Sequence, residues 1–139
     1  GWKLLDNRHV KLYQQADSIA LIGVENSGRP PFPNHARLEE ASAGTEGMFQ
    51  ILLSHDPSHW RREVLPNTDI QLTLAGHTHN MQTTLFGLSP AAFVYPEHSG
   101  LYQEKGQMLY VNIGLGHLLY PMRIGAWPEI TLLTLRCKK

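Results

Sequence analysis

The chain has 139 residues, enough for one modest domain or for part of a larger one. Its residues are 42% hydrophobic and 17% charged, which supplies apolar material for a real core. Lys+Arg and Asp+Glu both number 12, so the formal net charge is zero, and with no basic stripe the sequence argues against a nucleic-acid backbone binder. The single cysteine, Cys137, excludes an intrachain disulfide and leaves the redox compartment open. No apolar run approaches the roughly 18 residues of a membrane span, and no signal peptide is present, so this stretch is expected to be soluble. Its abrupt start at Gly1-Trp2-Lys3 is compatible with a preceding anchor or domain.

Taken in chain order, Val10 to Tyr13 and Ser18 to Val24 read as two strands, with Gln14-Gln15-Ala16-Asp17 as the hairpin turn between them. The apolar run Ile19-Ala20-Leu21-Ile22 suits a strand buried on both faces. Ser27 to Asn34 is rich in Pro and Gly and excludes helix and inner strand, after which Ala36 to Ala43 reads as a short helix ended near Gly44. Two similar units follow. Phe49 to Leu53 is a strand that stops at Ser54-His55-Asp56-Pro57, and His59 to Val64 has helical character closed by Pro66. Ile70 to Leu74 is a strand that stops at Ala75-Gly76-His77-Thr78-His79. Leu85 to Gly106 carries little secondary-structure signal, and two strands, Met108 to Ile113 and Glu129 to Leu135, finish the chain. Strands alternating with helical segments predict an α/β layer, in which functional side chains gather where strands end.

Chemistry is expected at two of those strand ends. In Gly76-His77-Thr78-His79, residues i and i+2 of an extended segment project to one side, roughly 6.5–7 Å apart at the α-carbons. Both imidazoles then reach one metal ion, or two neighbouring ions about 3.5–4 Å apart. Gly76 is expected to permit a bend or close approach that a side chain would block. His55 sits at the tip of the preceding strand, on the same sheet edge if the two strands are neighbours and parallel. Asp56 reads as a turn or N-cap residue. An H-x-H pair alone is common by chance. Two strand-tip histidine motifs about twenty residues apart, with a helix between them, are much rarer by accident. Imidazole nitrogen suits zinc, iron and manganese alike.

Ser54-His55-Asp56-Pro57 followed by Leu74-Ala75-Gly76-His77-Thr78-His79 resembles the C-terminal half of calcineurin-like metallophosphoesterases. The tail segments Gly114-Leu115-Gly116, Met122-Arg123-Ile124-Gly125 and Pro128 to Leu132 resemble those of a bacterial, membrane-associated phosphohydrolase subgroup that acts on envelope phosphodiesters such as UDP-linked acylglucosamine. The resemblance covers nearly the whole chain. It implies an α/β fold, the C-terminal half of a four-layer αββα sandwich with a mixed sheet and flanking helices. It implies two divalent or transition-metal ions, with His55 and His77 on one and His79 on the other, and hydrolysis of a phosphomonoester, phosphodiester or pyrophosphate. The family also uses Asp-x-His, Gly-Asp-x-x-Asp and Gly-Asn-His-Asp/Glu blocks, and residues 1–50 contain none of them. The chain alone is therefore expected to be inactive, one wall of a site whose other wall lies in a missing N-terminal half. Without that half, apolar sheet surface would be exposed, favouring pairing with it or a homo-oligomer. A non-catalytic binding or assembly module derived from the same fold is the competing reading, and a structural histidine–zinc domain is the weakest, for want of a cysteine pair.

The subgroup commonly continues Gly-His-Thr-His with Gly-Gly-Gln, whereas this chain has Asn80-Met81-Gln82, which suggests a different contour at the substrate mouth. Gln82, His117 and Arg123 are candidates for the substrate side, Arg123 because a guanidinium meets phosphate with a bidentate fork; a salt bridge to Glu129 is its bland alternative. Solvated loop positions are the simple reading of His98 and His117. His9 reads as a strand surface residue, His35 as a helix start or loop residue, and His59 as surface or partly buried. Trp60, Trp127 and Phe93 read as core or edge packing, and Cys137 as a small buried or edge residue.

Overall fold

Gln15 and Ala16 reverse the chain between β1 (Arg8–Gln14) and β2 (Asp17–Gly23), which pair antiparallel. The structure, a computed structural model, describes residues 1–136; Cys137 and the reading made of it lie outside the described residues. β3 (Phe49–Leu53), β4 (Leu72–Ala75) and β6 (Gln107–Val111) follow β2 in parallel, and β5 (Gly100–Glu104) closes the other edge antiparallel to β6. The result is one mixed sheet of six strands in the order β1-β2-β3-β4-β6-β5, the α/β layer expected from the sequence. Parallel neighbours need a crossover, and the segment between β3 and β4 supplies it on one face.

That face holds the core. Ala20, Ile22, Leu52, Ala75, Leu109 and Val111 point into it from the strands. They meet Leu38 and Ala41 of α1 (Leu38–Ser42) and Trp60, Val64 and Leu65 of the β3–β4 crossover. α1 ends at Ala43, just before Gly44 turns left-handed with φ +79°. Its attachment to the sheet uses His9, whose Nδ1 lies 2.9 Å from the carbonyl of Ala41; His9 thus faces a helix instead of lying on an open strand surface. The crossover helix is a π-turn, Trp60–Val64, that runs directly into α2 (Leu65–Asn67). Pro66 therefore does not close the helix. It lies within α2, and the chain turns extended only at Thr68. Trp60 is core as expected, while Trp127 and Phe93 are largely exposed and pack neither core nor edge.

The opposite face carries alternate residues of the same strands and is only partly covered. Leu12 and Leu53 are exposed, and Ile19, Leu21, Phe49, Leu74 and Tyr110 are half-buried. β2 is thus buried fully on one face only. The tail crosses this surface: Leu135 and Arg136 line a groove of about 820 Å³ with Leu12, Tyr13, Ile19 and Phe49. The strand expected over Glu129 to Leu135 does not form: the segment makes no ladder with either edge strand, β1 or β5. The segment is held instead by single contacts, the Glu129 N–H donating to Gly114 O at 3.1 Å and the Asn112 side chain to Thr131 Oγ1 at 2.9 Å. Conversely, β5 is a strand inside the stretch that carried little signal, set between left-handed Gly100 and Gly106.

Past β4 the chain makes a left-handed turn. His77 has φ 67°, and His79, Asn80, Met81 and Gln82 follow at 47°, 52°, 46° and 54°. Left-handed backbone costs a residue with Cβ roughly 1–2 kcal/mol, least for Asn, so glycine is the easy residue at positions 80 and 81. The turn is held from outside. Thr78 Oγ1 accepts from Asn80 N–H at 3.2 Å, and Ser89 donates to Asn80 O at 2.7 Å. Gln82 is buried, donating to Tyr120 O at 2.9 Å and Met122 O at 2.8 Å while its Oε1 accepts from the Leu118 N–H.

Two pairs of substitutions test this layout by denaturant unfolding. Leu52→Ala, on the helix-covered face, should cost about 2–5 kcal/mol, whereas Leu53→Ala on the open face should cost about 1 kcal/mol or less; equal losses would contradict the assignment of the core face. Met81→Gly should stabilise by about 0.5–1 kcal/mol through relief of the left-handed backbone. Gln82→Gly, at an equally left-handed position, should destabilise by about 1–3 kcal/mol because the Leu118 N–H loses its partner.

Candidate metal centre

The parallel pairing of β3 with β4 continues past both strand ends. Ser54 N–H donates to Leu74 O at 3.0 Å, and Gly76 N–H donates to His55 O at 3.1 Å. His55 and His77 are therefore carried to the same sheet edge. His55 Nε2 lies 3.1 Å from His77 Nδ1, and the two rings meet edge to face with centroids 4.9 Å apart. An imidazole nitrogen binds a transition-metal ion at about 2.0–2.1 Å, so two nitrogens at this separation can share one ion at an angle of roughly 95–100°. The pair thus fits a metal in donor type and in spacing. Burial first, and then the neighbouring His77, lower the His55 pKa, against a smaller opposing effect of Asp56. His55 is consequently neutral near pH 7, the form in which imidazole is a ligand.

His79 stands on the other side of the turn. Its Nδ1 is buried and lacks a hydrogen-bond partner among the described residues, beside the left-handed backbone of Gly114. Burial, followed by Arg123 and then His55, lowers its pKa against an opposing backbone hydrogen bond to Ile113, so this ring is also neutral near pH 7. Among the described residues, however, no three His, Cys, Asp or Glu side chains converge at metal-binding distance. The structure brings His55 and His77 together and leaves His79 apart from them.

Other side chains fix this arrangement. Asp56 is buried and its Oδ1 accepts from Ser58 N–H at 2.8 Å, the turn role expected of it. His59 is fully buried, contrary to the surface reading: Nδ1 lies 2.9 Å from Ser54 Oγ and Nε2 lies 3.4 Å from Glu63 Oε2. Thr78 donates to His98 O at 2.6 Å, tying the histidine segment to the approach of β5. A Cβ on Gly76 would meet only Asn112 O at an ordinary 3.7 Å, so the close approach expected there does not occur. Tyr95 went unnoticed in the sequence. Its hydroxyl lies 2.7 Å from His77 Nε2, its ring meets His77 edge to face, and Arg29 stands over it at 5.4 Å. Burial raises the Tyr95 pKa, Asp56 adds to this and Arg29 opposes it, so the phenol keeps its proton.

The substrate-side candidates are placed differently from one another. Gln82 spends both ends of its amide on residues 118–122 and has no polar atom free for a substrate. Arg123 donates to the carbonyls of Ile113 at 2.8 Å, Gly116 at 2.7 Å and Ala126 at 3.2 Å, and so clamps a loop. Its weighed partner Glu129 bonds instead to Tyr110 and to the Ile113 N–H. His117 is exposed in the loop after β6, and His98 is half-buried.

No protein-family model and no solved structure matches the chain. Curated proteins do. A zebrafish (Danio rerio) protein named "Transmembrane protein with metallophosphoesterase domain" is 36% identical over 146 residues, covering 98% of this chain and 33% of that protein. From Bacillus subtilis, the "Uncharacterized metallophosphoesterase YkuE" is 40% identical over 99 residues, 66% of this chain and 32% of that protein, and YkoQ, named likewise, is 24% identical over 94% of this chain and 48% of its own length. The chain thus spans about a third of the first two relatives. Animal and bacterial proteins match alike, so the bacterial subgroup suggested by the tail is not singled out. The chain is thus similar, over nearly its whole length for two of them, to proteins named for metallophosphoesterase.

Proposed function

We propose that this chain forms one wall of a two-metal phosphoester hydrolase whose other wall belongs to a longer protein. The observation that carries the reading is the facing pair of imidazole nitrogens, 3.1 Å apart, at the tips of neighbouring parallel strands. His55 and His77 would hold one ion, and His79, with its buried unpartnered nitrogen, would serve the second. Such ions, when bound, supply Lewis acidity to phosphoryl oxygens and a water acidic enough to ionise near neutral pH. The chain's own residues present neutral imidazoles, keep their rings in fixed orientation and hold the sheet edge on which they stand. Zinc, iron and manganese all accept this donor type.

The missing carboxylates set the scope of the reading. Residues 1–50 hold no Asp-x-His, Gly-Asp-x-x-Asp or Gly-Asn-His-Asp/Glu block, so the bridging ligand and half the donors would come from elsewhere. The partly covered sheet face, with Leu12, Leu53 and Leu101 exposed, is where a second layer from the longer protein would pack; a homodimer through the same face is the alternative occupant. The substrate class is a phosphorylated small molecule, an envelope lipid or a nucleotide sugar. Membrane association would reside in the longer protein: among the described residues no helix is long and apolar enough to cross a membrane, and one relative is named a transmembrane protein. A second reading is an assembly module that keeps the fold without catalysis.

Metal analysis and hydrolysis of a generic phosphodiester separate these readings when this chain is compared with the longer protein. The longer protein should bind metal and turn over, this chain should bind a single ion loosely without turnover, and His77→Ala in the longer protein should lower kcat by at least about 100-fold. Retained turnover in that variant would sink the ligand assignment, and a metal-free, inactive longer protein would leave the module reading standing.

A further inference from the structure

An imidazole that binds a metal through one nitrogen has to carry its proton on the other, and a hydrogen bond to that proton fixes both the tautomer and the ring plane. For His77 the nitrogen facing His55 is Nδ1, so the outer nitrogen is Nε2. Among the described residues, the side-chain group bonded to Nε2 is the Tyr95 hydroxyl, at 2.7 Å. The tyrosine ring stands nearly perpendicular to the imidazole, 75° between planes with centroids 5.3 Å apart.

Tyr95 is itself held from two directions. Its N–H donates to Ala91 O at 2.8 Å, closing the short 3-10 turn Pro90–Phe93 behind it. Arg29, from the Pro-rich loop after β2, donates to Val94 O at 3.1 Å and places its guanidinium carbon 5.4 Å from the Tyr95 ring centre. A cation over an aromatic face contributes modestly, about 0.5–1 kcal/mol where exposed, but it restricts where the ring can go. Two loops far apart in sequence therefore converge on one ligand histidine.

We infer that Tyr95, clamped by Arg29, is a positioning residue for metal binding: it accepts the Nε2 proton of His77 and so presents bare Nδ1 toward His55. This rests on the metal reading of the His55–His77 pair. It assigns work to the Pro-rich loop and to the 90–95 turn, neither of which contributes a ligand.

Zinc binding by calorimetry, with 15N spectra of the histidine rings, tests the assignment on the 139-residue chain. Tyr95→Phe keeps the ring and its packing and removes only the hydroxyl. It should weaken zinc binding about 10- to 100-fold and abolish the exchange-protected Nε2 proton of His77 in the zinc-bound spectrum. In a His77→Ala background the same substitution should leave the residual affinity unchanged, since Tyr95 acts through His77. An equal loss in both backgrounds, or undiminished affinity in Tyr95→Phe, would overturn the inference. Failure of the parent chain to bind zinc, with both ring spectra unmoved, would overturn the metal reading instead. The metal-free spectra still decide the contact in that case: Tyr95→Phe shifts His77 Nε2 if the bond exists, and an unshifted resonance refutes it.

Discussion

Everything at the candidate site depends on β3 and β4 being adjacent, parallel and in register. Leu52 faces Thr73 and Leu53 faces Leu74, and the ladder extends one step beyond each strand through Ser54 N–H to Leu74 O and Gly76 N–H to His55 O. A shift of one residue would turn every side chain to the opposite face. That shift is resisted by the core: Leu52 and Ala75 are buried against the crossover helix, and a slip would exchange them for residues of the open face. Hydrophobic burial on one side of the sheet therefore determines where two imidazoles meet at its edge. The histidines contribute little to the fold that positions them, and both are exposed.

Legibility of the sequence follows the same division. Strand β3 is read to the residue because Phe49–Leu53 is an apolar run between polar stops, and the β1–β2 hairpin because turn chemistry interrupts two strand-like segments. β4 is displaced, starting at Leu72 instead of Ile70, because Ile70 is a core residue reached before pairing starts and composition does not separate burial from strand. β5 is hidden since its alternation is short and bounded by two glycines, and Glu129 to Leu135 looks like a strand but has no ladder partner among the described residues. Local pattern reports whether a segment can be a strand; whether it finds a partner is a property of the whole sheet.

The site divides similarly. The meeting of His55 and His77 is legible because each stands just past a predicted strand end. Tyr95 is not, since 18 residues and an irregular loop separate it from His77 and no periodicity links them. Gln82 and Arg123 are misleading in the opposite sense. Both are residue types that bind phosphate well, and both are consumed by backbone carbonyls of the loops around 113–126. A loop with left-handed turns and few ladder bonds leaves orphan carbonyls, and buried carbonyls need donors. Long amide and guanidinium side chains provide them, so the chemistry that recommends these residues as substrate ligands also recommends them as loop braces.

The turn that carries His79 joins these threads. Four consecutive left-handed residues, only one of them asparagine, are held here by Thr78 at the start of the turn and by Ser89 and Tyr120 from two other loops. With Asn80 and Met81 rather than glycine at these positions, the conformation rests on surrounding contacts more than on intrinsic preference. His55 and His77 present two facing nitrogens, and His79 presents one nitrogen without a partner among the described residues. On the proposed reading the demand is asymmetric: the first ion would draw two ligands from this chain, and the second would depend mostly on what the other wall brings.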